Sequence, residues 1–211
     1  MSTQKIDQQA ELWLQILTSE KSGELLGAAM KNVADNLSMM TGREITVDPP
    51  VLKSIPLSEL LEHGAESPEA ETVGIYLLIE GDLHGQSLLI FGLTDALYLV
   101  DMLMGEEPGT TQEMDDVAQS AMAEIGNISL ASFLNVLSDK TGHSIVPSPP
   151  AVIIDMAASI LAAVAANTME FAADQLIILD TAFKDAGRVI QTKFWVIPNM
   201  ETNIIQYFKT K

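Results

Sequence analysis

Two stretches of the chain, TGREITVDPP (residues 41–50) and TGHSIVPSPP (residues 141–150), repeat one another one hundred residues apart. Thr41-Gly42 matches Thr141-Gly142, Ile45 matches Ile145, and Pro49-Pro50 matches Pro149-Pro150. Solenoid units run to about 20–50 residues, so a repeat of this length signals a duplicated subdomain. Carried upstream, the register sets Glu24 opposite Glu124, Glu20 opposite Ser120 and Gly27 opposite Asn127. One copy keeps an acid and an amide one helical turn apart, and the other lacks the amide. Glycine inside a helix costs about 1 kcal/mol, so a repeat kept for structure alone has no reason to place Gly27 there.

The stretch around the second copy, Asp115 to Pro150, reads as a long helix, a short strand and a proline-marked turn. At about 100° per residue, Ser120, Glu124 and Asn127 fall within a wedge of roughly 60° on one helix face, flanked by Asp116 and Gln119. Polar residues on such a face ordinarily mean only solvent. The duplication lifts these three above that reading.

The same patterns predict the rest. A terminal helix spans 5–18, with Ile6, Leu12, Trp13, Ile16 and Leu17 as part of an apolar stripe, and lies outside the repeat. The first long helix covers 20–41 and ends at Gly42, followed by a strand at 43–47. A short helix at 58–63 leads into a solvated acidic loop. Strands at 73–80 and 83–91 form a hairpin, and a helix covers 95–104. The second copy gives a long helix at 114–140, a strand at 143–146, a helix at 151–165, a hairpin of 175–183 with 188–197, and a terminal helix at 200–208. These units predict an internally duplicated, pseudo-twofold α+β fold, a single domain of halves at about 20–105 and 116–208.

Composition narrows the function. Twenty-nine acidic against eleven basic residues give a net charge of −18, which argues against nucleic acid and anionic membrane as partners. There is no cysteine, hence no thiol nucleophile or disulfide framework. The N-terminus lacks a secretory pattern and no apolar run is long enough to span a membrane, so a cytoplasmic protein is expected. His63, His84 and His143 are far apart in sequence and none has a triad-like context, and no phosphate-loop motif occurs, so serine-hydrolase, zinc and nucleotide chemistry have little support and no metal or cofactor of its own is expected. The eleven methionines read as helix core filler rather than as a binding groove.

The spacing of Ser120, Glu124, Asn127 and Pro150 resembles the signature of the chemotaxis phosphatases CheC, CheX and FliY: Asp or Ser, three residues, Glu, two residues, Asn, twenty-two residues, Pro. ALYLVDMLMG (96–105), AEIGNISLASFL (123–134) and PPAVIIDMAASIL (149–161) are similar to CheC in particular, and the likeness runs from about Gly23 to Pro198. In the first copy the signature is broken, with Glu20, Glu24, Gly27 and Pro50. The resemblance implies a central antiparallel sheet with both signature helices on one exposed surface. It also implies a phosphatase acting on the aspartyl phosphate of a CheY-type receiver. Glu124 would bind the receiver's active-site lysine, Asn127 would hold the attacking water, and the Mg²⁺ would be the receiver's.

The residue chemistry fits that role, since a carboxylate pairs with a lysine and a carboxamide both accepts and donates without titrating. Ser120 either orients Glu124 or faces water, and Pro150 shapes a turn. Ala131 and Leu134 continue the face as an apolar strip or are buried. The run at 151–165 is core, or the contact for a CheD-like partner that the resemblance implies. A non-catalytic adaptor for a receiver or a CheD-like protein is the alternative. A FliY-like switch component is a weaker expectation, because it would carry a further C-terminal domain for which a sequence ending at Lys211 leaves no room.

Overall fold

Helix α1 (Ser22–Thr41) stops at Gly42, whose φ of 67° lies in the left-handed region that a residue without Cβ enters freely. The turn releases the chain into β1 (Ile45–Val47), β2 (Val51–Pro56), a single 3₁₀ turn (Leu57–Glu59), and α2 (Leu60–Gly64). The long hairpin of β3 (Glu71–Gly81) and β4 (Gly85–Gly92) follows, then α3 (Leu93–Met104). The second half runs α4 (Asp116–Thr141), ended by Gly142 at φ 74°, then β5 (Ile145–Pro147), β6 (Ala151–Met156), α5 (Ala157–Thr168), β7 (Gln175–Asp180), β8 (Phe183–Asp185), β9 (Arg188–Ile190) and β10 (Thr192–Pro198). This computed structural model describes residues 12, 13, 15–17, 19, 21–64, 67–168, 175–185, 188–190 and 192–199.

Every strand pairing is antiparallel, and the halves exchange strands. β2 of the first half pairs with β7 of the second, Val51 opposite Asp180, while β6 of the second pairs with β3 of the first, Tyr76 opposite Ala151. β4 and β10 meet at the middle, from Phe91 opposite Thr192 to Gly85 opposite Pro198. The main sheet therefore has the order β2-β7-β10-β4-β3-β5, with β6 also on β3, and β1-β8-β9 form a small second sheet.

Strand alternation sorts the core into two layers. Leu89, Phe91, Phe194 and Val196 join the long helices, whereas Leu88, Ile90, Trp195 and Ile197 pack against α2 and α5 on the other face. The central strands are thus apolar on both sides, and the sheet lies between two helical layers.

Four expectations change. β2 lies where the pattern marks no element; it is an edge strand, where the missing N–H of Pro56 is tolerated. Residues 151–156 form a strand instead of opening a helix, because Val152-Ile153-Ile154 is a β-branched run and the helix begins only at Ala157. The 58–63 helix is shorter, starting at Leu60 after the 3₁₀ turn. The second hairpin is interrupted: β8 and β9 leave the main sheet, β8 pairing with β1 on one side and with β9 on the other. Of the terminal helix at 5–18, residues 12, 13 and 15–17 are helical and bury Trp13, Ile16 and Leu17, with the Trp13 indole N–H donating to the His84 carbonyl at 2.8 Å. The helix expected at 200–208 lies outside the described residues.

The link between the halves is tied down by one carboxylate. Asp101, buried near the end of α3, accepts N–H bonds from Gly109 (2.6 Å), Thr110 (3.2 Å) and Thr111 (2.8 Å). Burial alone would push its pKa up, but the Thr111, Gly109 and Thr110 donors together outweigh it and hold the carboxyl below the usual range. A depressed pKa gives stability that is full above the unfolded value of about 3.9 and is lost as pH falls through the folded one. Asp101→Asn is expected to cost about 1–3 kcal/mol at pH 7 in urea unfolding, with the gap from wild type narrowing as pH falls below about 4. A gap constant with pH would show that the ionised carboxylate is not what holds the link.

Candidate functional site

Helix α4 is anchored before the candidate residues begin. Asp115 caps it, accepting the Ala118 N–H at 2.8 Å. Along its outer face lie Val117, Ser120, Glu124 and Asn127. Ser120 is exposed and its hydroxyl donates to the Asp116 carbonyl at 2.7 Å, so it bonds its own helix rather than Glu124. Glu124 is exposed and Asn127 half-buried, and neither side chain has a hydrogen-bond or ion-pair partner among the described residues. An acid and an amide three apart on a helix sit roughly 5–6 Å from each other at Cβ, so the structure brings these two together and leaves both available.

The inner face explains why they stand where they do. Gly126 lies directly over β3, where an added Cβ would come within 2.4 Å of Ile75 Cγ2. Leu26 holds the matching position in α1, and only the second copy makes this close approach. Ile125, Leu130, Phe133, Leu134 and Leu137 are buried below. Leu134 is therefore core, while Ala131 is half-buried at the surface.

Asn127 opens onto a shallow groove of about 430 Å³ whose other wall is α1: Asn36, Met39 and Met40 face Asn127, Ile128 and Ala131. The floor is polar. Asn32 Nδ2 donates to the Ser132 carbonyl and Asn36 Nδ2 to Ser132 Oγ, both at 2.8 Å, where the two long helices cross. Asn32 and Ser132 are one hundred residues apart, so the crossing falls on the repeat axis. The end of α1 is pinned by Arg43, which pairs with Asp185 at 3.1 Å; Arg188 pairs with Asp95 at 2.8 Å, and both arginines lie over the Tyr98 ring. Tyr98 donates to Asp185 Oδ2 at 2.5 Å; burial first, and that hydrogen bond second, push its phenol up.

The first copy is arranged differently. Glu24 is exposed and Gly27 half-buried with open space around its Cα, while Glu20 lies outside the described residues. Glu24, Leu25 and Ala28 line a larger pocket of about 670 Å³, facing Lys140 and His143, and Leu12 and Ile16 of the terminal helix form a third wall. Pro50 and Pro150 occupy equivalent turns, β1 to β2 and β5 to β6, outside both concavities. The run 151–165 divides into β6, with Ile154 and Met156 exposed, and a helix that buries Ala157, Ile160, Leu161 and Val164. Among the described residues no cluster of His, Asp or Glu has metal-binding geometry, and no helix is long and apolar enough to cross a membrane.

The pseudo-twofold α+β fold thus carries two crossed helices on one surface, with an acid-amide pair on one of them. The chain is similar to CheC in sequence and to FliY and CheX in fold: the model of the CheC-like family matches residues 117–154, which hold Ser120, Glu124, Asn127 and Pro150. It is 27% identical over 177 residues to the CheY-P phosphatase CheC of Bacillus subtilis, covering 80% of this chain and 82% of that one. Its fold matches Thermotoga maritima FliY at a TM-score of 0.66, with 19% identity and 99% and 96% of the two chains covered. It also matches a chain of the CheX-CheY-BeF3-Mg²⁺ complex of Borrelia burgdorferi at 0.55, with 20% identity and 82% and 96% coverage.

Sequence reasoning located the α4 face but not Gly126, Asn32, Asn36, Ser132 or the methionine wall. Gly126 carried one usable signal, a glycine amid a buried helical pattern. Gly126→Ala is expected to destabilise the fold by about 1–3 kcal/mol in urea, because overpacking against Ile75 exceeds the gain in helix propensity of about 1 kcal/mol. An unchanged or raised midpoint would show that α4 lifts off the sheet without cost.

Proposed function

We propose that this chain is a phosphatase of CheY-type receivers, working as one domain with a single centre on α4. The observation carrying this is the placement of Glu124 and Asn127 side by side on a capped, core-anchored helix, with no described group of the chain engaging either. A relative named as a CheY-P phosphatase and a structural neighbour solved with CheY support the reading.

In this mechanism the Glu124 carboxylate docks the receiver's lysine by a charge-assisted hydrogen bond. Asn127 enters the phosphorylated pocket, where its Oδ1 accepts from a water and its Nδ2 donates to a phosphoryl oxygen. The water oxygen forms a bond to phosphorus as the bond from phosphorus to the receiver's aspartyl oxygen breaks. Inorganic phosphate leaves, and the aspartate retains the electron pair as carboxylate. Positioning carries the catalysis, because charge on the transferring group is met by the receiver's own Mg²⁺ and lysine. Neither Ser120 nor Pro150 has a chemical step in this scheme. Ser120 sets local helix polarity and Pro150 shapes the turn into β6.

The deciding experiment follows the lifetime of phosphate on a receiver encoded with this protein. Asn127→Ala is expected to lower the saturating rate about a hundredfold while leaving receiver binding within a few-fold, and Glu124→Ala to weaken binding. Glu24→Ala should leave both intact. If Asn127→Ala leaves the lifetime as short as wild type does, the catalytic reading falls and the adaptor reading, binding a receiver or a CheD-like protein on the same surface, takes its place.

A further inference from the structure

We infer that Met39 and Met40, at the end of α1, form a docking wall for the receiver, so that the half without an intact signature supplies affinity for the half that has one. The inference rests on the receiver as partner. It adds a surface that the signature does not contain.

Exposure is the first ground. Met39 is 75% exposed, more than any other large apolar side chain among the described residues, while Met40 is half-buried against the core. A methionine kept as filler would be inside, as Met30, Met102 and Met122 are. Its flexible thioether suits adaptable contact at a binding surface.

Position is the second. The helix crossing at Ser132 brings the last turns of α1 beside Asn127, so Met39, Met40 and the amide line one groove. A protein that delivers its phosphoryl group to Asn127 covers the other wall of that groove as it does so. Val117, 59% exposed, stands one turn ahead of Ser120 and extends apolar surface along α4. The occupant we assign is the apolar rim bordering the receiver's phosphorylated pocket.

Repeat symmetry provides the third and independent ground. Each concavity combines one half's signature helix with the last turn of the other half's. The residues matching Met39 and Met40 are Asp139 and Lys140. The apolar pair lines the groove of the intact amide, whereas Lys140 of the charged pair lines the pocket beside Glu24 and Ala28, where Leu12 and Ile16 form a further wall. Solvation alone would favour charge at both places. The wall is also held in place beforehand, since Arg43, just beyond Gly42, is fixed by Asp185 and Tyr98.

The test measures affinity and rate separately, using a CheY-type receiver encoded with this protein. Affinity is titrated with the beryllofluoride-Mg²⁺ form, and rate with the form phosphorylated by acetyl phosphate. Met39→Glu is expected to raise Kd and KM about tenfold, leaving kcat at saturating receiver within about twofold. Met39→Leu should keep wild-type affinity, and Asp139→Met should add none. Unchanged melting of Met39→Glu by circular dichroism checks that the fold is intact. An unaltered Kd for Met39→Glu overturns the proposal whatever Asn127→Ala does, and so does wild type binding none of its receivers. A Met39-dependent dimer formed without receiver also overturns it, because the wall would then be an interface between copies. If Asn127→Ala leaves phosphate lifetime unchanged but Met39→Glu weakens binding, the phosphatase reading falls and the docking wall stands.

Discussion

The crossing of α1 over α4 is the contact on which the rest of the molecule depends. Two asparagines of α1 reach the backbone and hydroxyl of Ser132, satisfying polar groups that would be costly to leave unpaired. These bonds fix where the helices pass each other, and an apolar interface alone would allow sliding. Because the first bond joins residues one hundred apart, both helices run equally far beyond the axis to Thr41 and Thr141, although α4 starts further before it than α1 does. A groove on this surface is then necessarily a joint product of the two halves.

Strand exchange beneath the helices carries the same constraint into the sheet. β2 completes the second half's hairpin and β6 covers the first half's, so neither half satisfies its sheet edges without the other. With β4 and β10 apolar on both faces, the helices on either side bury their inner stripes fully. Ser120, Glu124 and Asn127 are thereby left on the outward face of α4. Gly126 sets how far out that face stands, by letting the backbone settle onto Ile75.

The repeat, the caps at Gly42 and Gly142, the central hairpin and the polar face of α4 were all legible in the sequence, because each is a local pattern with a local cause. The strands β2 and β6 were not. VLKSIP and AVIIDM are six residues each, too short for periodicity to separate strand from helix or loop, and both are held by pairing with the opposite half. The break of the second hairpin is likewise a tertiary effect, since β8 turns away to meet β1. At the site, one wall could be read and the other could not: residues 36–40 approach Asn127 only through the helix crossing. Methionine as helix filler held for Met30, Met102 and Met122 but not for Met39 or Met104, because that rule concerns residue type and says nothing of which helix turn is left uncovered.

Duplication followed by divergence explains why the copies differ in a coordinated way. A twofold surface offers two equivalent grooves, and Asn127 with Met39-Met40 across from it equips one of them. In the other, Glu24 has no amide three residues on, Lys140 and His143 make the wall polar, and the terminal helix contributes Leu12 and Ile16. Glu24 belongs to the first copy and Lys140 to the second, and both line that one pocket. The two concavities therefore differ through residues of both copies, because each is built between the halves rather than within one.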